Sequence, residues 1–223
     1  GALTAAAAAT SDIPILGTSI TAYGVALDID DFNGTVGGNI SGTSDLADLE
    51  AQANMITEWF PDATKVGLLF CSAEPNSRYQ IGEVAKCLSD KGIETKEFAF
   101  TDTNDVASVT QSAADYSDVV YVPTDNTAAS NTEAIANVVL PAGVPVIAGE
   151  EGICSGCGVA TLSISYYDLG YATGKMAVKI LTGEADISTM PVEYAPQVTK
   201  KYNAANCETL GVTVPDDYAA IEG

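Results

Sequence analysis

The stretch Asp118-Val-Val-Tyr-Val-Pro-Thr-Asp-Asn-Thr127 decides the fold of this chain. After Asp118, its first half is an unbroken apolar run over residues 119–122, which is typical of a strand that a sheet buries on both faces. Its second half combines a proline with Thr, Asp and Asn, which is typical of a short loop that ends in a capped helix. A buried strand that leads through a polar loop into a helix is the repeating unit of a doubly wound parallel sheet.

The same unit recurs on both sides of this stretch. Short apolar or alternating runs at residues 65–70, 94–100 and 144–148 predict further strands, and the amphipathic segments 77–91 and 104–115 predict the helices between them. Parallel strands need such crossover helices, which cover the faces of the sheet. We therefore predict an α/β fold with doubly wound parallel sheets.

Other patterns extend these units in both directions. Residues 44–60 predict a helix with Ser44 as its N-cap, and residues 126–140 predict a helix directly after the opening stretch. Residues 158–164 predict one more strand, and residues 166–181 predict a long amphipathic helix.

These elements suggest two lobes. Residues 35–157 contain a sheet with all its helices, and we interpret them as a complete second lobe. Residues 1–34 and 158–190 supply only two strands and two helices, which bury too little apolar surface to fold alone. We expect them to form a partial first lobe whose other strands lie upstream of Gly1, or else to extend the first sheet. Residues 191–223 are expected to hold a crossover strand and a C-terminal segment.

The charge of the chain argues against several functions. With 9 Lys and Arg residues against 30 Asp and Glu residues, the formal net charge is −21, and histidine is absent from the sequence. So acidic a surface repels phosphate, which argues against binding of nucleic acid or of an anionic membrane. Without imidazole the chain can build neither a Ser-His-Asp triad nor a histidine-containing zinc site.

Two of the five cysteines form a CxxC motif. Cys154 and Cys157 lie in the glycine-rich segment 151–158, which we interpret as a loop. A small structural disulfide, two free thiols and a redox pair remain open as interpretations. A metal site of this kind needs a second cysteine pair, which the sequence lacks.

Polar loops follow three of the predicted strands. Ligands of doubly wound sheets bind beyond the carboxyl ends of the strands, so these loops form the candidate site. The loop after Phe70 offers hydroxyl and amide donors from Ser72, Asn76 and Ser77. It also lies at a helix N-terminus, which favours a bound anion such as a carboxylate.

The other two loops carry carboxylates. Asp125 follows Val122, and Glu150 follows Ala148. Each could pair with an ammonium group, although Asp125 could equally cap a helix and Glu150 could belong to a solvated turn. Donors for an anion beside carboxylates for a cation are the complement of a zwitterion such as an amino acid. The sequence shows no nucleophile–base pair, cofactor motif or metal cluster, so we predict a binding protein without a cofactor rather than an enzyme.

Several segments match the motifs of one family in order along the chain. They are Asp12-Ile-Pro-Ile15, Gly38-Asn-Ile-Ser-Gly-Thr-Ser44, Lys65-Val-Gly-Leu-Leu69, Ser72 through Ser77, Tyr121-Val-Pro-Thr-Asp-Asn-Thr127, Pro145-Val-Ile-Ala-Gly-Glu150, Ala160-Thr161, Tyr166-Tyr-Asp-Leu-Gly170, Gly174-Lys-Met-Ala177 and Lys179-Ile-Leu181. With these segments the chain resembles the extracytoplasmic solute-binding proteins of ABC importers in the group associated with tryptophan, tyrosine and phenylalanine. The resemblance extends over nearly the whole chain.

The resemblance implies a type I periplasmic-binding-protein fold, in which two α/β lobes close on a ligand. It implies that the chain binds a small amino-acid-like ligand, aromatic for preference, and delivers it to the membrane permease of an ABC transporter. It also implies an extracytoplasmic location, either periplasmic or as a cell-surface lipoprotein. The ligand-sensing domain of a receptor or regulator with the same fold is the alternative.

The resemblance further assigns ligand contacts to residues in four loops. The loop on the side of the ligand carboxylate contributes Ser72, Glu74, Asn76 and Ser77. The loop on the side of the amino group contributes Thr124, Asp125 and Asn126. Glu150 falls on an acid of the crevice, and Thr18 falls on a loop of the first lobe.

Overall fold

The computed structural model describes residues 1–222, which fold into alternating helices and strands. The helices are α1 (Ala2–Ala9), α2 (Tyr23–Leu27), α3 (Leu49–Trp59), α4 (Pro75–Asp90), α5 (Val106–Tyr116), α6 (Asn126–Ala129), α7 (Thr132–Ala142), α8 (Glu151–Cys157), α9 (Tyr166–Leu181) and α10 (Ala204–Leu210). The strands are β1 (Ile15–Gly17), β2 (Ile40–Ser44), β3 (Lys65–Cys71), β4 (Glu94–Phe100), β5 (Val119–Val122), β6 (Val146–Ala148), β7 (Ala160–Ile164), β8 (Glu193–Tyr194), β9 (Val198–Tyr202) and β10 (Ala219–Ala220).

The larger sheet has seven strands in the order β10-β9-β7-β6-β5-β3-β4. Strand β3 pairs in parallel with β4 and β5, β5 pairs in parallel with β6, and β6 pairs in parallel with β7. Every residue of β5 and β6 is buried, as expected for apolar strands with helices on both faces. The predicted α/β fold with a doubly wound parallel sheet is confirmed.

The smaller sheet has three parallel strands in the order β1-β2-β8. Its central strand, β2, is buried along its whole length. Leu3, Tyr23, Ile40 and Val192 form the apolar cluster that packs around this sheet.

Two glycines allow a phenol to reach the middle of the smaller sheet. Gly17 and Gly42 are opposite each other on β1 and β2. The buried Tyr23 hydroxyl lies 3.1 Å from the carbonyl oxygen of Gly17 and 3.2 Å from that of Thr43, so it donates to this pair. A Cβ atom at Gly42 would overlap the Gly17 carbonyl and the Tyr23 hydroxyl, and its φ of 142° also favours glycine. Burial, reinforced by the nearby Asp45, raises the pKa of Tyr23.

The chain divides into two compact units. The first comprises Gly1–Leu46 and Ile164–Val198, and the second comprises Ala47–Ser163 and the chain from Thr199 onward. These boundaries differ from the predicted ones because strand pairing decides them.

Three segments account for the difference. Residues 35–46, predicted in the second lobe, belong to the first unit because β2 pairs with β1. Residues 158–163, predicted in the first lobe, belong to the second unit because β7 pairs with β6. Residues 191–198 lie in the first unit because β8 pairs with β2.

Two helix predictions are corrected. Ser44 does not cap a helix but ends β2, and its hydroxyl donates to the carbonyl oxygen of Thr21 at 3.0 Å. The cap is Asp48, whose carboxylate accepts the N–H of Ala51 at 2.9 Å. The predicted helix 126–140 is broken into α6 and α7, because Asn131 leaves the helical conformation with φ −131° and ψ 25°.

The Gly42 contact yields a prediction for stability. Replacing Gly42 with Ala should destabilise the protein by about 1–3 kcal/mol from backbone strain alone, and the overlap with Gly17 and Tyr23 adds to this. Urea unfolding measures the change. The matched control is Gly170→Ala in α9, where the added Cβ meets no atom within 4 Å. This control should stabilise the helix by about 0.5–1 kcal/mol. Equal unfolding midpoints for wild type and Gly42→Ala would contradict the prediction.

Candidate functional site

The loops after β3, β5 and β6 lie side by side, because these three strands are neighbours in the larger sheet. In a parallel sheet the carboxyl ends of adjacent strands meet at one edge. The structure therefore brings together the predicted site residues of the second unit, which are Ser72, Glu74, Asn76, Ser77, Thr124, Asp125, Asn126 and Glu150. Thr18 lies in the first unit, exposed, directly after β1.

Asp125 is a buried helix cap that also joins two loops. The side chain is 1% exposed, one carboxylate oxygen accepts the N–H of Ala128 at 2.8 Å, and the other accepts the N–H of Cys71 at 2.7 Å. Burial raises the pKa of Asp125, although these N–H groups and the Ser77 hydroxyl oppose the shift. The capping alternative is the one that the structure shows. Backbone N–H groups bond to both carboxylate oxygens, and the contact of Asp125 with a ligand ammonium group stays a prediction.

Glu74 caps the same helix from the neighbouring loop. One carboxylate oxygen accepts the backbone N–H of Asn126 at 3.0 Å and its side-chain amide at 2.9 Å. The other accepts the backbone N–H of Thr127 at 2.9 Å and its hydroxyl at 2.7 Å. Burial alone would raise the pKa of Glu74, but the donors on Thr127 and Asn126 outweigh it and hold this pKa below its usual value. Glu74 and Asp125 thus link the two loops reciprocally.

Glu150 caps α8 in the third loop. Its carboxylate accepts the N–H groups of Gly152, at 2.7 Å, and of Ile153. The side chain is buried, so it does not belong to a solvated turn, and its contact with a ligand stays a prediction. The adjacent Glu151 pairs with the ammonium of Lys201 at 2.9 Å.

A buried glutamine holds the backbone of the central loop. Gln80 of α4 accepts the N–H of Thr124 at 3.1 Å and donates to the carbonyl oxygen of the same residue at 3.0 Å. The side-chain amide of Asn76 donates to that carbonyl at 3.2 Å. Three hydrogen bonds therefore fix the orientation of Thr124.

The third loop rests against the central one at Gly149. A Cβ atom at Gly149 would overlap the backbone of Pro123 and Thr124, so this close approach requires glycine. The carbonyl oxygen of Gly149 accepts the amide of Gln52 at 3.0 Å and the hydroxyl of Thr124 at 3.3 Å. Tyr121 donates its buried hydroxyl to the oxygen of the Gln52 amide.

The groups left on the surface of this cluster are neutral hydroxyl and amide groups, and the hydroxyl of Ser72 donates to the carbonyl oxygen of Phe100 at 3.1 Å. Ser72, Asn76 and Thr124 are half-buried, and Asn126 is exposed. Ser77 is fully buried and its hydroxyl bonds to Asp125, and its contact with a ligand stays a prediction. Hydroxyl and amide groups beside the N-terminus of the long helix α4 suit an anionic group of a ligand better than a cationic one.

The sequence analysis did not identify Gln52, Gln80 and Tyr121. Gln52 and Gln80 are buried and bond to the backbone of the loops, and Tyr121 bonds to Gln52. A signal for Gln52 was present, because it lies on the same helix face as Leu49, Ala53 and Ile56. A polar residue inside an otherwise apolar stripe must satisfy its hydrogen bonds within the protein.

The CxxC segment is helix α8 and not the predicted loop. The glycines that suggested a loop allow close packing, because a Cβ atom at Gly156 would overlap the side chain of Thr132 on α7. Cys154 and Cys157 are free, buried thiols. Burial, with a contribution from Glu150, raises the pKa of Cys157 to about 12, which suppresses the reactive thiolate.

Neither a metal site nor a membrane span is evident in the described part of the chain. Residues 1–222 contain no group of three or more Cys, Asp or Glu side chains arranged to hold a metal ion. Over the same residues, no helix combines the length and the apolar character needed to cross a bilayer.

Comparison with known proteins decides the family. The sequence profile described as "ABC transporter substrate binding protein" matches residues 2–221. The chain belongs to this family. The resemblance seen in the sequence is thereby confirmed.

Three relatives show how similar the chain is to members of the family. A protein named tyrosine-binding protein from Clostridioides difficile (strain R20291) is 31% identical over 187 residues, which cover 82% of this chain and 53% of that protein. The chain therefore spans about half the length of this curated relative.

The other two relatives are solved structures. The ABC domain from Streptococcus pneumonia in complex with L-Trp matches with a TM-score of 0.90 and 29% identity, over 98% of this chain and 77% of that one. The ligand-free, open structure of a substrate binding protein with adhesive properties from Clostridium difficile matches with a TM-score of 0.75 and 32% identity, over 98% and 74%.

The cap at Glu74 yields a prediction with a pH signature. Replacing Glu74 with Gln should destabilise the protein at pH 7 by about 1–2 kcal/mol, because the charged acceptor of four donors is lost. The folded-state pKa of Glu74 is depressed, so its contribution is full above about pH 4.5 and is lost as the pH falls further. The difference between the two proteins should therefore shrink as the pH drops below 4.5.

Urea unfolding at a series of pH values measures this difference. Asp125 is present in both proteins, so its own titration cancels in the comparison. The control is Glu83→Gln on α4, where the carboxylate makes a surface ion pair with Lys86. It should change stability by less than about 0.5 kcal/mol. A Glu74→Gln effect that does not vary with pH would contradict the assignment.

Proposed function

We propose that this chain is the extracytoplasmic substrate-binding component of an ABC importer and that it binds an amino acid, aromatic for preference. Membership of the substrate-binding protein family supports the transport role. A relative named tyrosine-binding protein and a similar structure in complex with L-Trp support the ligand class.

The observation that carries the proposal is the group of neutral hydroxyl and amide side chains at the carboxyl edge of the larger sheet. In this proposal Ser72, Asn76 and Thr124 bind the carboxylate of the amino acid in exchange for the hydrogen bonds that they donate to carbonyl oxygens within the protein. The hydrogen bonds from Gln80 and Glu74 hold their loops in place before the ligand arrives, which lowers the entropic cost of binding.

The charge of the protein is compatible with such a ligand. A chain with a formal net charge of −21 repels anions in general, but an amino acid at neutral pH carries no net charge. The buried carboxylates of Asp125 and Glu150 accept backbone N–H groups, so these local dipoles offset their charge.

The proposal includes the partner and the location of the protein. A substrate-binding component delivers its ligand to a membrane permease on the outer side of the cytoplasmic membrane, either as a periplasmic protein or as a lipoprotein. It binds and releases the ligand unchanged, without a cofactor, and no step of this role requires nucleic acid.

Calorimetry with L-tyrosine and L-tryptophan tests the ligand class. Both should bind and should raise the thermal midpoint in proportion to saturation. Tyramine, which has the ring and the ammonium group of tyrosine but no carboxylate, should bind at least about tenfold more weakly, because it lacks the group that the site is proposed to bind. Absence of heat and of a thermal shift with both amino acids at millimolar concentration would contradict the proposal.

Ser72 tests the placement of the carboxylate. Ser72→Ala should weaken tyrosine binding by about 1 kcal/mol and should leave tyramine binding unchanged. The control is Ser108→Ala, an exposed serine on α5, which should change neither affinity. An unchanged affinity of Ser72→Ala for tyrosine would remove this hydroxyl from the site.

A further inference from the structure

Two buried glutamines lie beneath the proposed binding loops. Gln52 is 0% exposed and Gln80 is 1% exposed. Burying a primary amide is unfavourable unless its donors and its acceptor all find partners. Gln80 pairs its oxygen and both of its N–H groups, and Gln52 pairs its amide nitrogen with Gly149 and its oxygen with Tyr121.

The side-chain amide of Gln80 bonds to both backbone groups of Thr124, as a residue of a neighbouring strand does in a sheet. Its amide oxygen accepts the N–H of Thr124 and its amide nitrogen donates to the carbonyl of Thr124. The same nitrogen donates to the carbonyl oxygen of Asn76 at 3.1 Å. An acceptor and a donor on a single residue determine the direction of both peptide groups that flank it.

Gln52 performs a similar function for Gly149. Its amide nitrogen donates to the carbonyl of Gly149, and its oxygen accepts the hydroxyl of Tyr121, which determines which end of the amide points at the loop. Because Gly149 packs directly on the backbone of Thr124, the two glutamines act on one continuous piece of the site.

We propose that Gln80 and Gln52 are positioning residues for ligand binding. This inference rests on the proposed function. They hold the backbone at Thr124 and Gly149 in the conformation that receives the amino acid. Affinity therefore depends on two side chains that are too deeply buried to touch the ligand.

The test compares Gln80→Met and Gln52→Met with Gln111→Met, a control on α5 whose exposed side chain bonds only to Asp115 among the described side chains. Calorimetry with L-tyrosine and L-tryptophan is performed well below the thermal midpoint of each protein. Each of the first two variants should bind at least about tenfold more weakly, and the control should bind as the wild type does. Affinities within about twofold of wild type in folded Gln80→Met and Gln52→Met would overturn the inference.

A conservative variant distinguishes positioning from a loss of stability. In Gln80→Glu the side chain keeps the shape of glutamine, and only its protonated form can donate to the Thr124 carbonyl. Burial favours that form, so binding should recover as the pH falls from 7 to about 5, where the amino acid remains a zwitterion. Binding by Gln80→Glu that shows no more pH dependence than binding by the wild type would overturn the inference.

Hydrogen exchange at the Thr124 amide tests the positioning of the loop without a ligand. In the wild-type protein this amide should exchange slowly, and in Gln80→Glu at pH 7 it should exchange faster. Exchange in the wild type as fast as that of an exposed loop amide would overturn the inference even if the methionine variants do not fold. If the wild type binds neither amino acid, the proposed function fails, and the exchange rate alone then decides whether Gln80 positions the loop.

Discussion

The first backbone N–H groups of an α-helix have no partner inside the helix, and the candidate site is built around this constraint. Each strand of the larger sheet that leads to the site runs within a few residues into a helix, so each loop must supply acceptors for those N–H groups. Asp125 and Glu74 supply them for α6, and Glu150 supplies them for α8. The carboxylates of Asp125 and Glu150, which the sequence analysis assigned to ligand-binding loops, are thus buried and accept backbone N–H groups.

This use of the acids has consequences for binding. Because Asp125 also accepts the N–H of Cys71, and Glu74 reaches across to Asn126, satisfying the helix N-terminus joins the loops after β3 and β5 to each other. The loops are ordered before a ligand arrives, and the side chains left on their surface are neutral hydroxyl and amide groups. In the proposed function, a site of this composition receives the carboxylate of an amino acid.

Much of this fold could be predicted from the sequence, and the errors have identifiable physical causes. The apolar runs that became β3 and β5 are unambiguous, because such a run can be accommodated only between two layers of helices. The prediction for Ser44 was wrong because a serine side chain can cap a helix or can bond to a neighbouring loop, and only the pairing of β2 with β8 decides between the two. The CxxC segment was misassigned because a glycine such as Gly156 can mark a loop or a close helix contact, and Thr132, which it touches, is distant in sequence.

The adjacency of the three loops could be predicted from the sequence, but their hydrogen bonds could not. The rule for parallel sheets predicts that the loops after β3, β5 and β6 lie side by side, as they do. The direction of the carboxylate of Asp125, in contrast, depends on which N–H groups lie nearby in three dimensions. The burial of Gln52 and Gln80 was not predicted, because polar residues on an amphipathic helix are normally assigned to its solvent face.

The most direct test of the account is a crystal structure of the chain grown with L-tyrosine. The account predicts that the carboxylate of the amino acid lies within hydrogen-bond distance of Ser72, Asn76 or Thr124. It also predicts that the carboxylates of Asp125 and Glu150 still accept the N–H groups of their helices. A structure in which the ammonium group of tyrosine displaces those N–H groups from Asp125 or Glu150 would contradict it.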